Sequence, residues 1–165
     1  MRSLPRLLLI GLSGIALAAP AVGQRADDQI LPKSVELMHQ GQAAMTAGKL
    51  EEADNLLETA LAVDPRNRWA YVNLARVAER QHLFGKAIRM TNKALIMEPN
   101  DPEALAVQGD AMVEMGATAR AQANLQKLQR VCGAKGCPQV AQLSAAITRG
   151  PTVASAKAAA SSKSN

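Results

Sequence analysis

Apolar residues in the middle of the chain recur at steps of three and four. Leu50, Ala53, Leu57, Ala60 and Leu61 fall on one stripe, which is the period of an α-helix rather than the alternation of a strand. The pattern predicts a helix over roughly 50–62 and a partner helix before it, over roughly 34–47. Gly48 ends the first of these, because the residue that closes a helix often needs a positive φ. Pro65 stops the second, since it has no N–H to continue the ladder. Val140, Leu143 and Ile147 set the same rhythm later and predict a helix over 138–149. Pro138 suits its first turn.

A different pattern stands at the start of the chain. The run from Leu7 to Ala18 is 12 residues of almost unbroken apolarity. A bilayer span needs about 20. Arg2 and Arg6 flank it on one side and the small residues Ala19, Ala21 and Gly23 on the other. Residues 1–23 therefore read as a secretory signal, cut after Gly23 or Ala21. The rival reading, an uncleaved anchor, fits the short run and small-residue flank less well. No cysteine lies near the junction to take a lipid. A periplasmic or secreted location is expected, with no stable membrane span once the signal is removed. Residues 24–33, with Asp27, Asp28 and Pro32, read as a linker. Residues 150–165 are rich in Ala, Ser and Lys without a periodic apolar face, and read as a disordered tail.

The chain also repeats itself every 34 residues. Gly41, Ala75 and Gly109 share that spacing. So do Ala53, Ala87 and Ala121, and the prolines Pro65 and Pro99. Three units follow, 34–67, 68–101 and 102–135, each a helix-turn-helix. Small residues where two helices cross let the backbones approach closely. A single hairpin cannot bury both its faces, so such units stack.

These residues resemble the tetratricopeptide family. That pattern asks for a large apolar residue at the fourth position of each unit (Leu37, Tyr71, Leu105), a small one at the eighth, Ala in the second helix and a closing Pro. The chain departs from it at Gln40 and Gln108, where Leu is usual, at His82, where Gly is usual, and at Thr91, Leu128 and Gly133. The resemblance implies an all-α fold, an α-solenoid of about three helix-turn-helix units plus a C-terminal capping helix. It also implies a concave groove lined by the first helix of each unit, where a protein or peptide partner binds. The matching positions are Met38, Gln42 and Met45 in unit one; Trp69, Val72, Arg76 and Arg80 in unit two; and Asp110 and Glu114 in unit three. The register also lets Arg76 pair with Asp110, and Arg80 with Glu114. The family's clamp for chaperone tail carboxylates maps onto Met38, Gln42, Asn73, Glu103 and Val107. Only Asn73 fits that clamp. With the export signal, the resemblance points to a periplasmic interaction scaffold, working in envelope, secretion or pilus assembly. The alternative is a structural subunit that self-associates as a homo-oligomer without a peptide ligand.

Composition agrees with an all-α chain. Hydrophobic residues make up 48% and aromatics only 2%, too few for a β-sandwich core. Net charge is +5, to which Arg2 and Arg6 contribute two. Acidic and basic residues are interspersed along the helices, which reads as a solvated surface. Nucleic-acid binding is not expected, for want of a concentrated basic face with stacking aromatics.

The two cysteines, Cys132 and Cys137, form an even count in a chain expected to be exported, and so predict a disulfide. A redox dithiol would use C-x-x-C, which this spacing is not. His39 and His82 lie in different units with no ligand spacing to the cysteines, so no metal site is expected. No nucleophile elbow, H-E-x-x-H or phosphate loop occurs. Neither an enzyme activity nor a cofactor is expected.

Overall fold

A computed structural model describes residues 30–152. The described residues form seven α-helices and no strand. They are α1 (Pro32–Thr46), α2 (Leu50–Val63), α3 (Arg68–Arg80), α4 (Phe84–Met97), α5 (Pro102–Glu114), α6 (Thr118–Cys132) and α7 (Pro138–Arg149). A single 3-10 turn, Gly133–Lys135, joins the last two. Consecutive helices pack as antiparallel hairpins. The first helices α1, α3 and α5 form one row, continued by α7, and the second helices α2, α4 and α6 form another.

The repeat shows itself most clearly where each first helix ends. Lys49 N–H bonds Ala44 O at 3.0 Å, Leu83 bonds Ala78 at 2.7 Å and Ala117 bonds Met112 at 2.8 Å. This is the wrapped C-terminal turn that satisfies a carbonyl otherwise left open. The residue inside each turn has positive φ: +79° at Gly48, +59° at His82 and +74° at Gly116. His82 therefore adopts the conformation that glycine takes in the other two units.

The second ends are different. Asp64 and Glu98 are extended after α2 and α4, and Pro65 and Pro99 follow. The next helices begin on side-chain caps. Asn67 Oδ1 accepts from Ala70 N at 3.1 Å and Asp101 Oδ1 accepts from Ala104 N at 3.0 Å, filling donors that a helix start leaves open.

The core lies between units. Leu57 and Ala60 of unit one pack against Ala70, Leu74 and Val77 of unit two. Ala75, Ala78 and Ala87 meet Val107 and Ala111 of unit three. Leu105, Met112 and Leu128 meet Leu143 of α7. Each fully buried Leu contributes about 2 kcal/mol by removal from water. The small positions behave in two ways. A Cβ on Gly41 would lie 2.7 Å from Leu57 Cγ of its own hairpin, whereas one on Gly109 would lie 2.6 Å from both methyls of Leu143. At Gly109 the close approach is therefore to α7, not to the hairpin partner α6.

The two Gln departures have separate causes. Gln108 is buried, and its amide bridges α4 and α6. It donates to Asn92 Oδ1 at 2.6 Å and accepts from Asn124 Nδ2 at 3.0 Å. Gln40 is exposed and donates to Glu36 at 3.0 Å.

Two boundaries differ from the sequence reading. α1 begins at Pro32, inside the segment 24–33 assigned to a linker, because Pro is a good first-turn residue. The assigned tail begins with an ordered turn. Gly150 has φ +73°, and Thr152 N–H and Oγ1 both bond Glu114 Oε2 at 2.9 Å. The signal segment 1–23 and the rest of the tail lie outside the described residues.

Candidate functional site

The row of first helices was expected to form the binding surface. The structure sorts its residues into three groups. Met38 is 7% exposed and Val72 fully buried. Met38 belongs to the core between units one and two, where Asn73 Nδ2 approaches its sulfur at 3.4 Å. Val72 packs on Ala94 and Ala104. Neither can touch a partner, and both assignments are corrected to core. The turn of the helix that the family pattern aims at the groove is covered here by the next helix.

The second group is polar and already engaged. Arg76 pairs with Glu103 of α5, not with Asp110. Arg80 donates to the backbone carbonyl of Met45, not to Glu114. Glu103 also accepts from Gln139 of α7. Asp110 accepts from Gln142 Nε2 at 2.7 Å, and Glu114 faces Arg149 at 3.8 Å. The expected pairs do not form: Arg76 turns to Glu103 and Arg80 to α1, while Asp110 and Glu114 meet Gln142 and Arg149 of α7. The α7 partners Gln139, Gln142 and Arg149 gave no signal in the sequence, because the repeat spacing breaks at the Cys132–Cys137 loop. That loop carries the disulfide, with its Cα atoms 5.6 Å apart.

The third group remains open. Gln42 is exposed, Met45 is half-buried and Trp69 is 40% exposed. Arg80 is also exposed, and Arg76 is half-buried. The Arg68 guanidinium stacks 4.1 Å from the Trp69 ring centroid, which holds the indole at the rim. Trp69 faces a cavity of about 320 Å³ shared with Glu98, Pro102 and Val131. At the opposite ends of α3 and α5, Glu79, Arg80, Phe84, Asp110 and Glu114 line a cavity of about 240 Å³. Burial, then the nearby Asp110 and Glu114 charges, push Glu79 up to about 8, although Arg76 pulls the other way. Burial also raises Asp110, against the hydrogen bond from Gln142. Among the described residues no group of three His, Cys, Asp or Glu side chains is placed to hold a metal.

The tetratricopeptide-repeat family model matches residues 44–111. That stretch spans the end of α1, three complete helices and most of α5. Over that stretch the chain matches the tetratricopeptide-repeat family.

Two curated proteins are similar to parts of the chain. Cellulose synthase 2 operon protein C of Komagataeibacter xylinus is 41% identical over 73 residues, which is 43% of this chain and 5% of that protein. Tetratricopeptide repeat protein 28 of Homo sapiens is 34% identical over 101 residues, which is 59% of this chain and 4% of its own length. The chain thus spans only a small fraction of the curated relatives it matches.

Among solved structures, the Sgt2 tetratricopeptide domain from Aspergillus fumigatus superposes with a TM-score of 0.68 at 24% identity, covering 77% of this chain and 83% of that one. The first such domain of Spaghetti (RPAP3), bound to the HSP90 peptide SRMEEVD, gives 0.65 at 19% identity, covering 71% and 91%. The TPR2B domain of yeast Sti1, in complex with an Hsp70 peptide, gives 0.63 at 21% identity, covering 71% and 97%. These likenesses establish the tetratricopeptide fold.

Proposed function

We propose that this tetratricopeptide protein is a protein-interaction scaffold that binds an extended segment of a partner across the open half of its first-helix row. The observation that carries the reading is the division of that row. The α5 carboxylates each meet a side chain of α7, while Gln42, Met45, Trp69 and Arg80 stay accessible on α1 and α3. Trp and Arg are common anchors of binding energy, and Met adapts to varied apolar side chains.

The peptides in the Spaghetti and Sti1 complexes support the use of such a surface. They do not define the ligand. Of the five positions that match the tail clamp, Met38, Asn73 and Val107 are buried and Glu103 is an acid paired with Arg76. A partner gripped by a free C-terminal carboxylate is not expected.

The signal-like residues 1–23 support an exported, periplasmic protein, serving envelope, secretion or pilus assembly. Self-association receives less support. The unit-two residues Ala70, Leu74 and Val77 are buried against unit one. Their counterparts one repeat earlier, Glu36, Gln40 and Ala43, are exposed, and Glu36 carries hydrogen bonds from Lys33 and Gln40. That face of α1 is built for water rather than for another unit.

A photo-cross-linking residue at Gln42 tests the groove in cells. A partner adduct is expected, and it should vanish in the Trp69→Ala, Arg80→Ala double variant. An adduct indifferent to both substitutions rejects the site. Export is checked separately by N-terminal sequencing of the protein from the envelope fraction. An intact residue 1–23 segment on cytosolic protein rejects it.

A further inference from the structure

Charge is segregated among the second helices. α2 carries Glu51, Glu52, Asp54 and Glu58 and no base. α4 carries Lys86, Arg89 and Lys93 and no acid, and α6 carries Arg120, Lys127 and Arg130 and no acid. The sequence alone suggested interspersed charge, because acids and bases do alternate along the chain from one helix to the next. The packing places all three of these helices in one row, and the row runs from acidic to basic.

The repeat shows which of these cations are neutralised. Lys86 reaches back to unit one, 2.7 Å from Asp54 and 3.0 Å from Glu58. Arg120 stands one repeat later in the same position. The residues in place of Asp54 and Glu58 are there Ile88 and Asn92. Arg120 is exposed and, among the described residues, holds no ion pair. The same is true of Arg89, Lys93 and Arg130, and of Lys135 in the following turn, while half-buried Lys127 repeats the position of Lys93. Helical spacing puts Arg89, Lys93 and Ile96 on one stripe of α4, and Arg120, Lys127 and Arg130 on neighbouring lines of α6. Large apolar side chains lie among these cations. Ile96 is 81% exposed, Met97 42% and Val131 37%.

From this surface we propose that the α4–α6 face binds an anionic lipid membrane. Uncompensated like charge is unfavourable for the isolated fold and becomes favourable against a negative surface. Lys and Arg supply that attraction, and Ile96, Met97 and Val131 can enter the interface between headgroups and chains. A nucleic acid would call for stacking aromatics, whereas the exposed apolar groups here are aliphatic. The binding is peripheral, since no helix among the described residues is long and apolar enough to cross a membrane. The cations and Ile96 lie on α4 and α6, whereas the proposed groove residues lie on α1 and α3, with Val131 bordering the cavity beside Trp69.

Cosedimentation of the full chain with vesicles tests this. Binding is expected to vesicles containing phosphatidylglycerol, and not to phosphatidylcholine alone. The triple variant Arg120→Glu, Lys127→Glu, Arg130→Glu should bind at least about twentyfold more weakly, because each cation near such a surface is worth roughly fivefold. All three substitutions are at non-core positions, and an unchanged helical circular dichroism spectrum confirms folding. Ile96→Ser should weaken binding about threefold, and do so at high salt as well. Undiminished binding by the triple variant overturns the proposal and points to the N-terminal apolar run. Equal binding to neutral vesicles overturns it too. So does retention on heparin or duplex DNA without vesicle binding, which would identify a polyanion site. The groove cross-linking is independent of all these outcomes.

Discussion

Arg68, the first residue of unit two, pairs with Asp101, the residue that caps the first helix of unit three. One repeat earlier the same register links Ser34 to Asn67. There the Asn67 amide donates to Ser34 Oγ at 2.9 Å, and Ser34 Oγ donates to Ala60 O at 2.7 Å. Each unit thus holds the cap of its successor, once through neutral groups and once through charges. Both Arg68 and Asp101 are almost fully buried. Asp101→Asn keeps a capping acceptor but removes the carboxylate charge that faces Arg68, and should cost about 3 kcal/mol in chemical denaturation. Adding Arg68→Met should recover much of that loss, because the buried charge is then removed with its partner.

Gly109→Ala sets two effects against each other. Alanine is worth about 1 kcal/mol over glycine inside a helix. The new Cβ would stand 2.6 Å from both Leu143 methyls, and Leu143 is fully buried with no room to retreat. The clash should win, with a net loss of about 1–2 kcal/mol. Leu143→Ala in the same chain should relieve the clash, so the two losses should fall short of additive in a double-mutant cycle.

Much of this is legible in the sequence. The 34-residue register, the helix pairs and the stop at Gly48 follow from spacing and backbone chemistry alone. Groove assignments at Met38 and Val72 did not survive, because spacing gives the face of a helix but not the depth to which the next helix covers it. The pairing of Arg76 and Arg80 also escaped. Position in the repeat fixes where a long side chain starts, whereas its partner depends on how the neighbouring helices, α7 among them, settle. For α7 that depends on the six-residue Cys132–Cys137 loop, which obeys no repeat.

His82 occupies a left-handed backbone position with φ +59° that Gly48 and Gly116 fill in the other units. A side chain there costs about 1 kcal/mol relative to glycine. His82→Gly should raise stability by no more than roughly 0.5 kcal/mol, after allowing for the extra freedom glycine gives the unfolded chain and for the lost edge contact with Phe84 at 5.9 Å. A thermal melt showing a lower midpoint would contradict this.

Reducing the Cys132–Cys137 disulfide should cost about 2 kcal/mol, the chain-entropy value for so short a loop. α7 should stay docked, since Leu143 and Ala146 remain buried against the last unit. Hydrogen exchange should therefore quicken at 133–137 more than within Pro138–Arg149. Uniform loss of protection over α7 would mean that the disulfide, not the apolar stripe, holds it.

Stability should depend on pH through Glu79. Burial lifts this carboxyl from its ordinary 4.5 to about 8, with Asp110 and Glu114 adding to the rise. The native state therefore keeps a proton that the unfolded chain releases once pH exceeds 4.5. Stability is highest below that value, falls as pH rises, and levels off above about 8. Asp110 is raised by burial and acts in the same sense. Asp64 is lowered, first by the Arg66 side chain, so its contribution is lost only in stronger acid and does not overlap this window. Burial opposes the charge on Lys86, but the bonds it donates to Asp54 and Glu58 outweigh that and raise it, and its contribution fades only in strong base. The Glu79→Gln variant removes the titrating group and keeps the shape. It should lose most of the slope between these limits and gain roughly 2 kcal/mol over the parent at about pH 9. Urea titrations across that range decide the matter. Parallel pH profiles for parent and variant would show that Glu79 ionises normally in the fold, and that the cavity beside Phe84 is wetter than its lining implies.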